Sequence, residues 1–210
     1  MKKCDFILMI LNCKAYKHKS NLQKETWLKN LPPSLPYYHV IGRPELHTDF
    51  EFNEDERILY VKTPDDYNSL PQKVICAYEA FYKTYDFKYI FKTDDDQQLV
   101  NDLFLPTIMQ KLTLEKFHYG GHMVNTLNDH ISKYYIQHDC LPRNILMKKG
   151  IYCNGRFYFL SKESIADLIT KKEKFYTEYF EDYAVGYYLN SNLKSSILSI
   201  NNGEFFRDVV

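Results

Sequence analysis

The chain has 210 residues, 45% of them apolar and 26% charged, which is enough apolar material for a buried core and excludes wholesale disorder. Its 27 Lys and Arg balance 27 Asp and Glu, so the formal net charge is zero. That balance argues against a basic nucleic-acid footprint and against a polybasic membrane-surface protein.

The apolar run at residues 6–11 (FILMIL) is far short of the roughly 18 residues needed to cross a bilayer. Asp5 abuts it and no small-residue cleavage site follows, so residues 6–12 read as a first buried strand rather than a signal peptide. A polar loop comes next, and residues 22–31 read as a helix stopped by Pro32 and Pro33. Residues 37–41 form a short strand ending at Gly42, and residues 57–62 form another. Residues 70–85 carry Val74, Ile75, Tyr78, Phe81 and Tyr82 close to helical spacing, behind Pro71 in the first turn.

Residues 88–93 then give a strand with a nearly continuous apolar centre, as expected where both faces are covered. Residues 103–114 read as a helix, 117–124 and 156–160 as strands, and 162–171 and 181–190 as helices. Residues 125–149 read as a long loop or irregular pair. No repeat or Gly/Ser linker divides the chain. The alternation of strands and helices predicts an α/β fold, one domain over residues 1–210, with a mixed central sheet flanked by helices.

Cys4, Cys13, Cys76, Cys140 and Cys153 are an odd set with no C-x-x-C pair, which points away from a disulfide framework or zinc site and toward a reducing compartment. None of the fourteen Asn residues lies in a glycosylation sequon. The expectation is a soluble, cytoplasmic protein with no membrane span.

The most informative residues are Asp94, Asp95 and Asp96, directly after the strand at 88–93. If extended geometry continues, Asp94 and Asp96 point to one side and Asp95 to the other. Two carboxylates about 6 Å apart repel by roughly 3 kcal/mol at an effective dielectric near 20. A divalent cation removes that penalty, and hard oxygen ligands suit Mg²⁺ or Mn²⁺. An isolated acidic triplet reads equally as a solvated turn. The strand in front, Lys92 beside it and the later motifs turn the reading toward a ligand site, since open α/β sheets place ligands at strand ends.

Lys92-Thr93-Asp94-Asp95-Asp96 resembles the K-x-D-D-D strand end of glycosyltransferase family 31, the β1,3-galactosyltransferase, β1,3-N-acetylglucosaminyltransferase and Fringe group. Four further stretches follow the family's order. Glu25-Thr26-Trp27 resembles R-x-T-W, with Lys24 preceding it, and Asp65 through Lys73 resembles D-x-Y-x-N-L-T-x-K, keeping Asp65, Tyr67, Leu70 and Lys73. Tyr152 through Ser161 resembles Y-C-S-G-G-G-Y-V-L-S, and Glu181 through Gly186 resembles E-D-V-Y-V-G.

The resemblance implies a GT-A fold and an inverting, metal-dependent hexosyltransferase of β1,3 type. It would move sugar from a nucleotide-sugar donor, usually UDP-linked, to a glycan or glycoconjugate hydroxyl. By the same resemblance, Asp96 helped by Asp94 would hold Mn²⁺ or Mg²⁺ at the D-x-D site. Asp95 would contact the donor's ribose or sugar, Lys24 and Lys73 would face the nucleotide or its phosphates, and Asp182 would be the catalytic base. Read alone, Glu181-Asp182 is an acidic helix start favoured by the helix dipole. Gly155 allows backbone to approach a ligand or take a positive φ, while Arg156 and Phe157 replace family glycines and would narrow the donor-sugar pocket or add positive charge. Phe175, Tyr176, Tyr179, Phe180 and Tyr183 read either as a sugar-stacking acceptor surface or as core.

The chain also departs from the family. No His follows Asp182, where relatives place a third metal ligand, which leaves Asn201, Asn202, Glu204, Asp208 or water for that role. A non-catalytic nucleotide- or carbohydrate-binding protein is therefore the alternative function. A phosphotransferase or hydrolase is disfavoured, since no P-loop is present.

Overall fold

The computed structural model describes residues 1–209. Phe6–Leu11 forms β1, and Lys17–Glu25 forms α1. Three strands follow, β2 at Tyr37–Gly42, β3 at Phe50–Asn53 and β4 at Ile58–Val61, then α2 at Leu70–Thr84. β5 is Tyr89–Asp94, β6 Gln97–Leu99, α3 Phe104–Leu114 and β7 Tyr119–Thr126. A two-stranded ribbon, β8 at His130–Ile131 and β9 at Leu146–Met147, interrupts the path to the long strand β10 at Gly150–Ser161. The chain continues through α4 at Lys162–Ile169, α5 at Lys172–Phe175, α6 at Glu181–Tyr188, β11 at Ile197–Ser199, α7 at Asn202–Phe205 and β12 at Phe206–Asp208.

Eight strands make one mixed sheet in the order β11-β7-β10-β5-β1-β2-β4-β3. β5, β1, β2 and β4 run parallel, with Leu11 beside Asp94 and Val40 beside Leu11, so their C-terminal ends form one rim. β10 lies antiparallel between β5 and β7.

Every residue of β1 is buried because the sheet is covered on both faces. Ile7, Met9 and Leu11 join the core under α2, α4 and α6, while Phe6, Leu8 and Ile10 join the core with Trp27 and α3. The same alternation on β5 sends Tyr89 and Phe91 to the α3 side and Ile90 to the α2 side. Lys92 and Asp94 therefore belong to the α2 and α6 side.

Two expectations need correction. The first helix is not at residues 22–31 but at Lys17–Glu25, followed by a 3-10 turn at Leu28–Asn30. Its buried residues are Ser20 and Gln23, so it is seated by hydrogen bonds that an apolar pattern does not reveal. Extended geometry also does not run through the acidic triplet. β5 stops at Asp94, and Asp95 and Asp96 form a turn into β6, so strand alternation does not set the direction of Asp96.

All five cysteines are free. Among the described residues no helix is long and apolar enough to cross a membrane.

Candidate active site

The acidic turn is held from behind. Gln23 of α1 donates its Nε2 to the carbonyls of Asp94 at 3.0 Å and Gln97 at 2.8 Å, spanning the turn. Trp27 Nε1 adds a bond to the Gln97 carbonyl at 3.2 Å. Gln23 is itself fixed by His39, whose Nε2 lies 3.0 Å from Gln23 Oε1. Burial drops the His39 pKa to about 3, so the ring is neutral and its Nε2–H is the donor.

At the other side of the turn, Lys92 is the hub. Its ammonium, almost fully buried, lies 2.8 Å from Asp94 Oδ1, donates to Glu181 Oε1 and donates to the Gly155 carbonyl at 2.7 Å. Burial alone would depress its pKa, but the Asp94 and Glu181 carboxylates reverse that and hold it charged. Glu181 is completed by Tyr158, whose hydroxyl donates to Oε2 at 2.9 Å and sits 2.8 Å from the Tyr78 hydroxyl. Asp182, next on α6, accepts from the Gly155 N–H at 2.9 Å and from the Tyr183 N–H at 2.7 Å. One continuous network thus joins the triplet to the first turn of α6.

Gly155 lies between the two. A Cβ there would stand 3.1 Å from both Glu181 Oε1 and Lys92 Nζ and 3.5 Å from Asp94 Oδ2. Close approach, not a positive φ, is what the position asks of its residue. The strand allows this because the β10–β7 register shifts between Cys153 and Tyr158. That bulge frees the Gly155 amide and carbonyl from the β7 ladder.

The carboxylates resist ionisation. Burial pushes Asp182 up, countered in part by Lys92 and the two backbone N–H bonds. Burial likewise raises Asp94, with Glu181 and Asp96 adding to it against Lys92. Asp95 is pushed up to about 7 by burial, against the opposing pull of Lys19 and with further push from Asp94 and Asp96.

The basic residues fall differently from the expectation. Lys73 is buried and donates to the Asn12 carbonyl at 2.9 Å and to Asp65 Oδ1 at 2.6 Å, so its charge braces the loop after β4. Lys24 donates to the Glu56 carbonyl at 2.7 Å, in the β3–β4 turn. Besides Lys92, the lysine at the triplet is Lys19, 3.8 Å from Asp95 Oδ1. Nothing in the sequence motifs marked it, because its position depends on the helix starting at Lys17. Arg156 is not a free positive charge. Its guanidinium holds both oxygens of Asp208 at 2.7 and 2.9 Å and the Phe206 carbonyl at 3.3 Å, tying β12 to β10.

The C-terminal segment reaches the triplet. Gln97 Nε2 donates to Asp96 Oδ1 at 2.9 Å and to Asp208 Oδ1 at 2.8 Å, and the Val209 N–H donates to the Asp96 carbonyl at 2.7 Å. Of the residues considered for a third ligand, Asn201 is bound to Glu204, Asn202 donates to the Phe157 carbonyl, and Asp208, which shares the Gln97 donor with Asp96, has both oxygens on Arg156. No group of three or more His, Cys, Asp or Glu side chains converges on one point among the described residues. Asp94 and Asp96 are hard oxygen donors with crowded charge. They fit a divalent cation that takes its remaining ligands from water or a diphosphate.

The aromatic group before α6 is mostly structural. Phe175 is fully buried against Tyr188, Tyr183 stacks on Tyr187, and the Tyr176 hydroxyl lies 3.6 Å from Cys76 Sγ. Phe180 instead meets Tyr134 edge-on at 5.7 Å, and Tyr134 leads through His138 to a stack on Tyr67 at 4.3 Å. The sequence does not mark Tyr67, Tyr134 and His138 as a group, because two of them lie in the irregular segment between β7 and β10.

The galactosyltransferase family model matches residues 19–197. Among solved structures, the galactosyltransferase LgtC, determined with donor and acceptor sugar analogues, aligns with a TM-score of 0.52 and 10% identity over 93% of this chain and 73% of that one. The glycosyltransferase GlyE of Streptococcus pneumoniae TIGR4 aligns with a TM-score of 0.49 and 11% identity over 97% of this chain. The chain spans about half of GlyE, 46% of its length. No curated protein matches the sequence.

Proposed function

Because the chain belongs to the galactosyltransferase family, glycosyltransferase family 31, and has the GT-A fold, we propose that it transfers a sugar from a nucleotide-sugar donor to a glycan hydroxyl. The donor is UDP-linked, the anomeric carbon inverts, and the new linkage is β1,3. The observation that carries this reading is the single hydrogen-bonded network that places Asp182 beside the acidic triplet.

In this reading Asp182 takes the proton of the acceptor hydroxyl as that oxygen bonds to the anomeric carbon. The bond to the diphosphate breaks on the opposite face, and the proton remains on Asp182. Burial raises the Asp182 pKa above the ordinary aspartate value, which makes its carboxylate a stronger base than a surface aspartate. The N–H groups of Gly155 and Tyr183 aim it. Lys92 and Glu181 neutralise each other next to it and keep that aim fixed. Asp94 and Asp96 would hold Mn²⁺ or Mg²⁺, which supplies charge neutralisation to a departing diphosphate when bound. Lys19, 3.8 Å from Asp95, would approach the same phosphates, and Asp95 the donor's ribose or sugar.

The test is donor turnover: a panel of UDP-sugars with Mn²⁺, with released UDP as the readout and product linkage by NMR. Folded protein that neither turns over nor binds any nucleotide sugar sinks the proposal. Binding without turnover across a broad acceptor panel assigns the non-catalytic alternative.

A further inference from the structure

Seven of the fifteen strongly exposed large apolar side chains among the described residues lie between Met123 and Ile151. On the β8–β9 ribbon Ile131 stands directly opposite Leu146, so the two share a face, and they are 48% and 49% exposed. Their neighbours Ser132, Ile145 and Met147 are buried, while His130 is exposed with the pair. Leu127 and Ile136, on either side of β8 in sequence, are exposed as well.

The neutral total charge conceals a local excess in the same place. Lys133, Arg143, Lys148 and Lys149 are exposed, and none joins an ion pair among the described residues. Asp129 and Asp139 are the only carboxylates between residues 127 and 149. Exposed apolar side chains close in sequence to unpaired cations complement an anionic lipid surface, where the former enter the head-group layer and the latter meet its phosphates. A protein partner of ordinary surface does not call for unpaired lysines beside an apolar pair.

The patch is fixed to the acidic site. The Lys148 N–H donates to the Tyr183 hydroxyl at 2.9 Å, and Tyr134 packs on Phe180. Phe180 and Tyr183 bracket Glu181 and Asp182 on α6. We propose that residues 127–149 seat this protein on an anionic lipid surface, with Asp182 held near head-group level. The inference goes beyond the transferase reading, since vesicle binding needs no turnover.

Flotation of the full chain with phosphatidylcholine vesicles, with and without about a third phosphatidylglycerol, tests it. Recovery is expected with the anionic vesicles and not with phosphatidylcholine alone, falling as salt is raised. Ile131→Asp with Leu146→Asp should cut binding at least ten-fold, and Lys148→Glu with Lys149→Glu by about ten-fold. All four positions are exposed, and unchanged circular dichroism checks that both variants fold. Three results overturn the proposal: no binding, binding indifferent to lipid charge, or binding unchanged in both variants. A wild-type dimer in sedimentation that Ile131→Asp with Leu146→Asp turns into a monomer also overturns it, by assigning the face to a second copy.

Discussion

The Lys92 ammonium donates to the Gly155 carbonyl at 2.7 Å, and this contact closes the gap between the end of β5 and the bulge of β10. Because the same ammonium serves Asp94 and Glu181, two acidic motifs far apart in sequence become one electrostatic unit.

Lys92→Met removes the counter-charge from two carboxylates that burial already disfavours. The loss should be about 3–5 kcal/mol of unfolding free energy. Urea denaturation is the measurement, with a lowered midpoint and an unchanged slope. A variant as stable as the parent would show that Glu181 is protonated in the folded state and needs no partner.

Asp182→Asn keeps an oxygen for the Gly155 N–H but removes the base. Transfer should fall by roughly 10²–10⁴-fold while UDP binding stays within about two-fold. In the parent, kcat should rise with pH through a pKa above the ordinary aspartate range, because burial holds Asp182 up. The variant should lose that limb. An unchanged rate would remove Asp182 from the role.

Lys19→Ala should weaken UDP binding in the presence of Mn²⁺ by about ten-fold, the order expected when one hydrogen bond to a charged group is lost. Lys24→Ala should leave it unchanged, since that ammonium is occupied by the Glu56 carbonyl. Isothermal titration of both variants decides between them.

Asp95 gives stability a sign with pH. Its folded-state pKa, about 7, lies above the unfolded value near 3.8, so the native state holds the extra proton in between. Its contribution is fully present below the lower value and is lost as pH rises through the upper one. Thermal melting of metal-free protein should therefore show this term falling between about pH 4 and pH 7. Mn²⁺ should raise the melting temperature more at pH 8 than at pH 5, where protonated carboxylates bind it poorly. Equal shifts at both would exclude the triplet as the binding site.

Two glycines should respond differently to alanine. At Gly186 a Cβ would fall 2.3 Å from the Tyr152 Cβ, so α6 must lift off β10, and a loss of about 1–3 kcal/mol is expected. At Gly155 the nearest atoms, at 3.1 Å, are side-chain ends that can move by tenths of an ångström. Gly155→Ala should leave melting nearly unchanged and reduce transfer, by shifting Lys92 and Glu181 under Asp182.

The sheet was legible because its strands are runs of apolar residues between turn signals, and β1, β2, β4 and β5 lie within a residue or two of their expected bounds. Fold and family followed from motifs of fixed order. α1 was misplaced because polar residues seat it, and residues 125–149 read only as a long loop or irregular pair because the two-residue strands β8 and β9 carry no period. The carboxylates lay in motifs, whereas the supports did not. Gln23, Gln97 and Lys19 act through geometry that forms only when α1 and β6 meet the triplet. Lys73 and Arg156 show the reverse, since a basic residue in a motif says nothing about which acid it has already found.

The register shift in β10 leaves residues 154–156 outside the pairing with β7, while Phe157 resumes opposite Thr93 of β5. Side chains there can be exchanged without breaking a rung, as an arginine in place of a glycine illustrates. Residues 154–156 are thus a stretch whose composition can change while the scaffold beneath it is kept.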